Sequence, residues 1–471
     1  MPDAVVVGAG PNGLAAAIVL ARAGRSVLVL EAADTVGGGM RTAELTLPGF
    51  RHDVCSAIHP GAVGSPFLRS LPLEEHGLEW IHSPAPLAHP FDDGTAVVLE
   101  RSVAATADGL GEDGEAYRRL FEPLVGVADD LADLLLAPLR RPRHLRAAVR
   151  LAANALLPAT MVARRRFAAE RARALFGGLA AHSILPLSKP PSGAIGLALG
   201  LFGHAFGWPL PRGGSQAIAD ALASFLRSLG AEIRCGCRLE SLAELRGVRV
   251  VLLDVTPRQL LALAGDALPS LYRRRLAGYR YGPGTFKLDL ALEGSIPWAA
   301  EECSRAATVH VGGTLDEIAG AEAQVAGGGH PERPFVLLAQ QSQFDPTRAP
   351  AGKHTAWAYC HVPHGSAVDM TDAIEAQVER FAPGFRERIL ARSARGPHEL
   401  EAHNRNLVGG DLNGGLMDLR QLYTRPVARL VPYRTPRTGV YICSASTPPG
   451  GGVHGMCGVA AAKIALRDLR R

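Results

Sequence analysis

The sequence predicts an α/β chain, α+β overall, and three observations predict it. A strand, a glycine turn, a helix, a second strand and an acid follow one another within residues 1–31. A further helix–strand unit after a glycine-rich junction begins near residue 209, and a strand–glycine turn–helix unit closes the chain. Between them, helical periodicity gives way to strand-like alternation, the pattern of a second, differently built layer.

The opening unit is the most specific. Ala4-Val5-Val6-Val7 is a short apolar run that reads as a buried parallel strand. It runs into Gly8-Ala9-Gly10-Pro11-Asn12-Gly13, then into Leu14 to Ala23, which has helical composition and stops at Gly24. Val27 to Leu30 is a second strand, ending on Glu31. Gly8 permits the tight turn, Gly10 lets backbone N–H groups approach a pyrophosphate, and Gly13 lets helix and strand pack closely. The helix N-terminus, opened by Pro11 and Asn12, offers unpaired N–H groups and positive dipole to phosphates. Glu31 can accept both hydroxyls of an adenosine ribose. The glycines fall between strand and helix, with the acid about twenty residues on, as dinucleotide binding requires.

The residues that follow choose the dinucleotide. Glu31 is succeeded by a short spacer and by Gly37-Gly38-Gly39-Met40-Arg41-Thr42. This order resembles the extended motif of the FAD-dependent amine oxidase and phytoene-desaturase superfamily. The resemblance implies a glycine loop lying along the ribityl and pyrophosphate groups, with Arg41 stabilising them. Gly49 to Ser56 occupies the stretch that in this superfamily turns back beneath the isoalloxazine, which adds Ser56 to the expected FAD contacts. The implied cofactor is tightly bound FAD.

Bulk properties set the limits. The 471 residues suffice for two domains with proper cores, and 47% apolar with 20% charged is ordinary for a globular chain. A net charge of +5 is too small to argue for nucleic acid, so none is expected as a partner. The N-terminal apolar run lacks the basic flank of a signal peptide, and no apolar stretch approaches the ~20 residues of a spanning helix. A cytoplasmic protein is expected. Seven scattered cysteines without a C-x-x-C suit a reducing compartment and disfavour disulfide chemistry. Cys235-Gly236-Cys237 reads as part of a strand, with two small core residues. No metal-ligand spacing is present, and no metal is expected.

Residues 71–208 predict helices over about Glu115–Leu136, Leu145–Leu157 and Arg164–Phe176. From Leu139 to Phe176 there are ten arginines against one acid, Glu170. Two readings stand: a basic surface touching anionic lipid at the membrane periphery, or a solvated face of an arginine-rich protein. Gly193 to Phe206 is too short to span a bilayer and predicts a helix lining a substrate tunnel. Ser215 is the expected N-cap of a helix whose apolar face is Ile218, Leu222, Phe225, Leu226 and Leu229, stopped by Gly230. Ala231–Cys235 is the next strand. Pro211 to Leu222 resembles the equivalent phytoene-desaturase unit, and the family places Leu239 against the adenine. Leu242 to Gly247 leads almost directly into Val248–Asp254, so the family's small meander is truncated or absent here. Phe286–Leu292, Phe335–Gln340 and Thr355–His361 predict strands, and Thr371–Phe381 a helix with a Thr cap. On those strands Trp357 and Tyr359 line a cavity or fill a core.

At the C-terminus, Gly439–Ser446 is the last strand of the dinucleotide-binding domain. Thr447 to Met456 is a glycine-rich turn, and a small-residue helix follows from Cys457 to Leu469. The turn carries Gly452, Val453 and His454 toward the flavin, and Ser444 and Ser446 stand where the family usually has an acid. Along Val5–Thr42, Pro211–Leu222, Gly282–Leu292, Gly409-Gly410-Asp411 and Tyr441–Ala462 the chain resembles the phytoene-desaturase-like FAD oxidoreductases. Within them it resembles the pyridine nucleotide-disulfide oxidoreductase domain-containing protein 2 group. The resemblance implies a Rossmann-like FAD-binding domain of glutathione-reductase (GR2) topology, formed by 1–70, 209–270 and 426–471. A substrate domain of helices and an antiparallel sheet is implied from 71–208 and 271–425. The expected function is dehydrogenation or desaturation of a hydrophobic small molecule by hydride transfer to flavin N5, with a quinone or O₂ as electron acceptor. A redox-neutral polyene isomerase and a non-catalytic FAD-containing interaction protein remain as alternatives. His454 is the leading catalytic candidate, ahead of His59 and Lys287.

Overall fold

The structure, a computed structural model, describes residues 1–138, 141–422 and 424–470. Leu139 and Arg140, which open the arginine-rich stretch, lie outside the described residues.

Two sheets organise the chain. The first is parallel and five-stranded, in the order Val440–Ile442, Val250–Leu253, Ala4–Val7, Val27–Leu30, Glu232–Arg234. Its central strands are the four-residue apolar runs, because strands covered on both faces must be apolar on both. The charged strand Glu232–Arg234 takes an edge, where its side chains reach solvent. All five strands come from 1–70, 209–270 and 426–471. Among the described residues no strand intervenes between Glu232–Arg234 and Val250–Leu253, so the meander is absent.

Helices Pro11–Arg22 and Met456–Leu469 cross on one face of this sheet. Glycine makes that crossing possible. A Cβ at Gly458 would collide with the carbonyl of Asn12, and one at Gly13 with the carbonyl of Gly8.

The second sheet has seven strands from 71–208 and 271–425. Their order is Ile389–Arg395, Gly284–Leu292, His354–Val362, Val336–Ala339, Ala306–Val311, Ala85–Pro90, Ala96–Leu99. The expected antiparallel sheet is therefore mixed, because Ala306–Val311 and Ala85–Pro90 pair parallel. Register places two rungs of side chains on one face: Thr308, Ala339, Trp357 and Asp289 in one, His310, Leu337, Tyr359 and Lys287 in the other. The opposite face, with Leu288, Leu338 and Ala358, packs on Ile374, Val378 and Phe381 of helix Thr371–Phe381.

The face bearing the two rungs meets a helical layer. The predicted helix Glu115–Leu136 is two, Gly114–Val125 and Ala128–Leu135, divided at Gly126. Arg164–Phe176 is also not one helix: Ala159–Arg166 and Glu170–Ala181 are separated where Asp113 accepts the N–H groups of Ala168 and Ala169, both at 2.7 Å. A carboxylate from a distant segment thus ends one helix and starts the next. Ser192–Ala205 is the helix expected to line a tunnel.

Ser215 does not cap helix Gln216–Ser228 with its side chain; its Oγ donates to the Ser56 carbonyl at 2.6 Å. Capping falls instead to Asp53 Oδ1, which accepts the Ser215 N–H, and Thr42 Oγ1, which accepts that of Gln216. Cys235 and Cys237 are half-buried in a turn around Gly236 (φ +67°), not core residues of a strand. The backbone there bends back to bond Ala33 and Glu31.

Candidate functional site

A cavity of about 740 Å³ runs from the C-terminal edge of the parallel sheet to the rung-bearing face of the second. That edge is where open α/β sheets bind ligands, since the glycine turns and helix N-termini gather there.

At this end the lining includes Gly8, Gly10, Pro11, Asn12, Glu31, Gly38, Gly39, Arg41, Ser56, Leu239, Ser444, Ser446, Gly452, Val453 and His454. The structure brings these residues, expected from sequence at a cofactor site, onto one surface. Helix Pro11–Arg22 begins with no side-chain cap and no acid in its first turn, which leaves its positive end for a ligand. Helix Met456–Leu469 likewise has no acid in its first turn, and the crossing at Gly458 brings its N-terminus to the same cavity. Asn12 Oδ1 and His59 Nδ1 are buried without a hydrogen-bond partner, and both residues line the cavity. Orphaned acceptors of this kind fit a ligand rich in hydroxyls, as a ribityl chain and ribose are.

Several residues act differently from expectation. Gly13, Gly37 and Thr42 are not part of the lining. The Gly13 N–H is spent on Asp254, the Gly37 N–H on the Ala9 carbonyl, and Thr42 caps the helix described above. Glu31 cannot offer its whole carboxylate to a ribose. Oε2 accepts the Ala9 N–H at 2.7 Å, while Oε1 accepts the Ala33 N–H at 2.9 Å and Arg41 at 3.2 Å. About one lone-pair site of the usual four remains for a ligand. Arg41 also donates to the Thr35 carbonyl, so its charge fixes Glu31 as well as facing the cavity. Ser56 and Ser446 hold the frame by donating to the carbonyls of Gly39 and Gly414.

His454 is committed to the turn itself. Its Nδ1 accepts the Met456 N–H at 3.0 Å and its Nε2 lies 3.3 Å from the Gly451 carbonyl. Burial lowers its pKa to about 4, so the ring is neutral with both nitrogens occupied. These contacts brace the turn and occupy both ring nitrogens. His59 donates through Nε2 to Ser215 Oγ at 2.8 Å, and burial lowers it also to about 4. Lys287 lies on the same sheet face as Tyr359 but outside the cavity lining, buried, paired with Asp289 and 5.7 Å from the Trp357 ring centroid. Desolvation pulls its pKa down. Burial pushes the Cys55 thiol up to about 11, which makes a thiolate unavailable.

Two contributors were not anticipated. Asp254 lines the cavity beneath the glycine turn, with Oδ2 accepting the Gly13 N–H at 2.9 Å. Desolvation raises its pKa to about 7, the Gly13 bond opposes the shift, and Glu31 adds to it. Its signal was in plain view, an acid directly after the apolar strand Val250–Leu253. The loop 402–414 closes the other side, with Asn406 Nδ2 donating to the Asp254 carbonyl and Oδ1 accepting the Thr256 N–H.

Comparison with known proteins agrees with this geometry. A family model described as an NAD(P)-binding Rossmann-like domain matches residues 6–71. The mouse (Mus musculus) pyridine nucleotide-disulfide oxidoreductase domain-containing protein 2 is 27% identical over 99% of this chain and 94% of its own. A hydroxyneurosporene desaturase of Cereibacter sphaeroides is 33% identical over 50% of each. The chain is an FAD-dependent oxidoreductase, similar to these proteins. An oxidoreductase from Methanosarcina mazei shares the fold at a TM-score of 0.65 and 16% identity, over 99% of this chain and 100% of that one. Asn12, Glu31, Arg41 and Ser444, with the two helix N-termini, are the groups that would hold FAD in this oxidoreductase.

The cavity of the oxidoreductase changes character toward the second sheet. Its charged lining residues are Glu31, Arg41, Arg238, Glu240, Asp254 and Arg405, all at the glycine-turn end or on the loop that Asn406 ties to it. Beyond them, Ile195, Ala198, Leu199, Phe202, Leu337, Trp357 and Tyr359 form an apolar chamber in which no charged side chain takes part among the described residues.

Proposed function

We propose that this oxidoreductase dehydrogenates a neutral, largely apolar small molecule, forming a carbon–carbon double bond. The observation that carries the reading is the uncharged chamber. A protonated amine entering it would meet no carboxylate, and an unpaired charge in an apolar cavity costs several kcal/mol or more. Neutral hydrocarbon surface gains about 25 cal/mol per Å² on entering. FAD, when bound, supplies the hydride acceptor. The chain's own residues do the rest: Ile195, Leu199 and Phe202 exclude water, Trp357 and Tyr359 shape one wall, and the glycine turns fix the cofactor's phosphates. A quinone or O₂ would serve as the electron acceptor.

Delivery from a lipid surface belongs to the same reading. Leu145, Val149, Leu156 and Met161 are exposed, among Arg146, Arg150, Arg164 and Arg165. Helix Leu145–Ala155, which carries Leu145 and Val149, packs on Ser192–Ala205, whose residues line the chamber. Apolar side chains ringed by cations suit shallow contact with anionic lipid. Among the described residues no helix is long and apolar enough to cross a membrane.

Anaerobic mixing of the yellow holoprotein with matched alkenes, alcohols and primary amines tests the assignment. Loss of visible absorbance with an alkene, together with a product that has gained a carbon–carbon double bond and lost two hydrogens, is expected. Bleaching by alcohols or amines alone would refute it.

A further inference from the structure

The apolar chamber is not wholly apolar, and several of its polar side chains carry donors. Helix Glu170–Ala181 ends at His182, and His182, Ser183 and Ile184 all line the chamber. Ile184 has φ +54°, the one positive value at a non-glycine among the described residues. A β-branched residue pays of order 1–2 kcal/mol for that conformation, so the surrounding fold enforces this turn.

His182 Nε2 lies 3.0 Å from His310 Nε2. His310 is fully buried, packed against Gly178 and edge-on to Phe335, and its Nδ1 has no partner. Burial holds His182 at about 3 and His310 well below its usual value, so both rings are neutral. Each then carries one N–H. Native structures leave a bare acceptor nitrogen unpaired more readily than an N–H. His310 therefore carries its proton on Nε2 and donates to His182 Nε2. That leaves the His182 proton on Nδ1, a nitrogen with no hydrogen bond among the described residues.

Two further donors share the wall. Ser183 Oγ is buried without a partner, and so is Trp357 Nε1. The wall between them is continuous: Trp208 stacks edge-on against His182 at 6.1 Å and donates to Thr308 Oγ1, and Thr308 and Trp357 flank Ala339 in one rung. The Trp208 donor is already used. The others are not, and buried donors normally have partners.

We infer that the adjacent residues His182 and Ser183 form a donor subsite for the neutral carbonyl oxygen of an otherwise apolar ligand. A carbonyl oxygen has two lone pairs and no proton, so it matches a wall that presents N–H and O–H groups. A carboxylate is a poorer match, because among the described residues no cation lines the chamber to compensate its charge. This inference rests on the apolar reading of the chamber given above and assigns the ligand its polar end.

The test uses holoprotein and two ligands of the same shape, 2-undecanone and 2-methyl-1-undecene, in which a methylene replaces the oxygen. Binding is read from the change in total tryptophan fluorescence, with the flavin absorbance spectrum confirming that each variant is loaded. Wild-type protein should bind the ketone about tenfold more tightly, the effect of one to two neutral hydrogen bonds. The variants Ser183→Ala and His182→Phe should reduce the ketone to the affinity of the alkene and leave the alkene unchanged. The infrared carbonyl band of bound ketone should shift to lower frequency in wild type and recover in the variants. Equal binding of ketone and alkene by wild type would overturn the subsite while leaving the apolar chamber intact. So would an equal loss of both ligands in the variants. Failure of both to bind wild type would overturn the chamber's assignment as well.

Discussion

Replacing Asp254 by Asn should uncouple FAD affinity from pH. The carboxyl is buried under the turn that receives the cofactor's phosphates, and its pKa is raised from 3.8 to about 7. A pyrophosphate bound at that turn adds negative charge, which raises the pKa further, so binding takes up a proton. The sign then follows. Below about pH 6 the acid is already protonated and binding carries no cost. Above pH 7 the proton must be supplied from solution, and affinity falls by up to tenfold per pH unit. At pH 8, one unit above the free value, about nine-tenths of Asp254 is ionised, and the loss is roughly tenfold, or about 1.4 kcal/mol. Asn keeps an oxygen to accept the Gly13 N–H but has no proton to lose. FAD titrated into apoprotein, followed by flavin fluorescence from pH 5.5 to 8.5, measures the slope. Wild type should weaken above pH 7, while Asp254→Asn should be flat and about tenfold tighter at pH 8. A flat wild-type profile, or the same slope in both proteins, would refute the coupling.

Other expectations follow from the same geometry. Gly458→Ala puts a methyl group into the Asn12 carbonyl, so it should abolish soluble yellow protein although residue 458 lies far from the glycine motif in sequence; absorbance of purified protein decides. Arg348→Ala should cost about 3–5 kcal/mol, because it strands fully buried Asp53, whose carboxylate lies 2.8 Å from the guanidinium. Thermal melts read that loss. Arg348 and hydrogen bonds hold the Asp53 pKa down against burial, so this contribution is complete above pH 4 and is lost only as pH falls further. The Asp254 shift has the opposite sign. His454→Asn should lower cofactor retention but leave the shape of the pH–rate profile between pH 5 and 9 unchanged, since the ring is neutral and braces a turn. A new inflection in that range would return His454 to the chemistry.

What could be read from sequence was whatever local chemistry dictates, and what could not was whatever distant segments impose. Ala4–Val7, its glycine turn and Glu31 are legible because strand, turn and helix are neighbours in the chain and each residue serves its neighbour. Ala306–Val311 and Ala85–Pro90 are not: APLAHP has neither alternation nor strand composition, and it becomes a strand because a partner more than 200 residues away pairs with it in parallel. The N-cap of helix Gln216–Ser228 fails as a sequence inference for the same reason. Ser215 has the right side chain, but Asp53 and Thr42 arrive from 160 or more residues earlier and take the work, freeing Ser215 to tie Ser56 to His59. The site divides along this line. Gly8 to Arg41, which line the glycine-turn end, follow one another along the chain, so a motif can announce them, whereas Asp254 and Ser444 reach the same end from distant strands. The chamber draws on helix ends, a mixed sheet and a strained turn at Ile184, and its character comes from which side chains face inward and which donors are left without partners. Cofactor identity is therefore a local property of this chain, whereas substrate preference is a property of its packing, and only substitutions inside the chamber can change the second without disturbing the first.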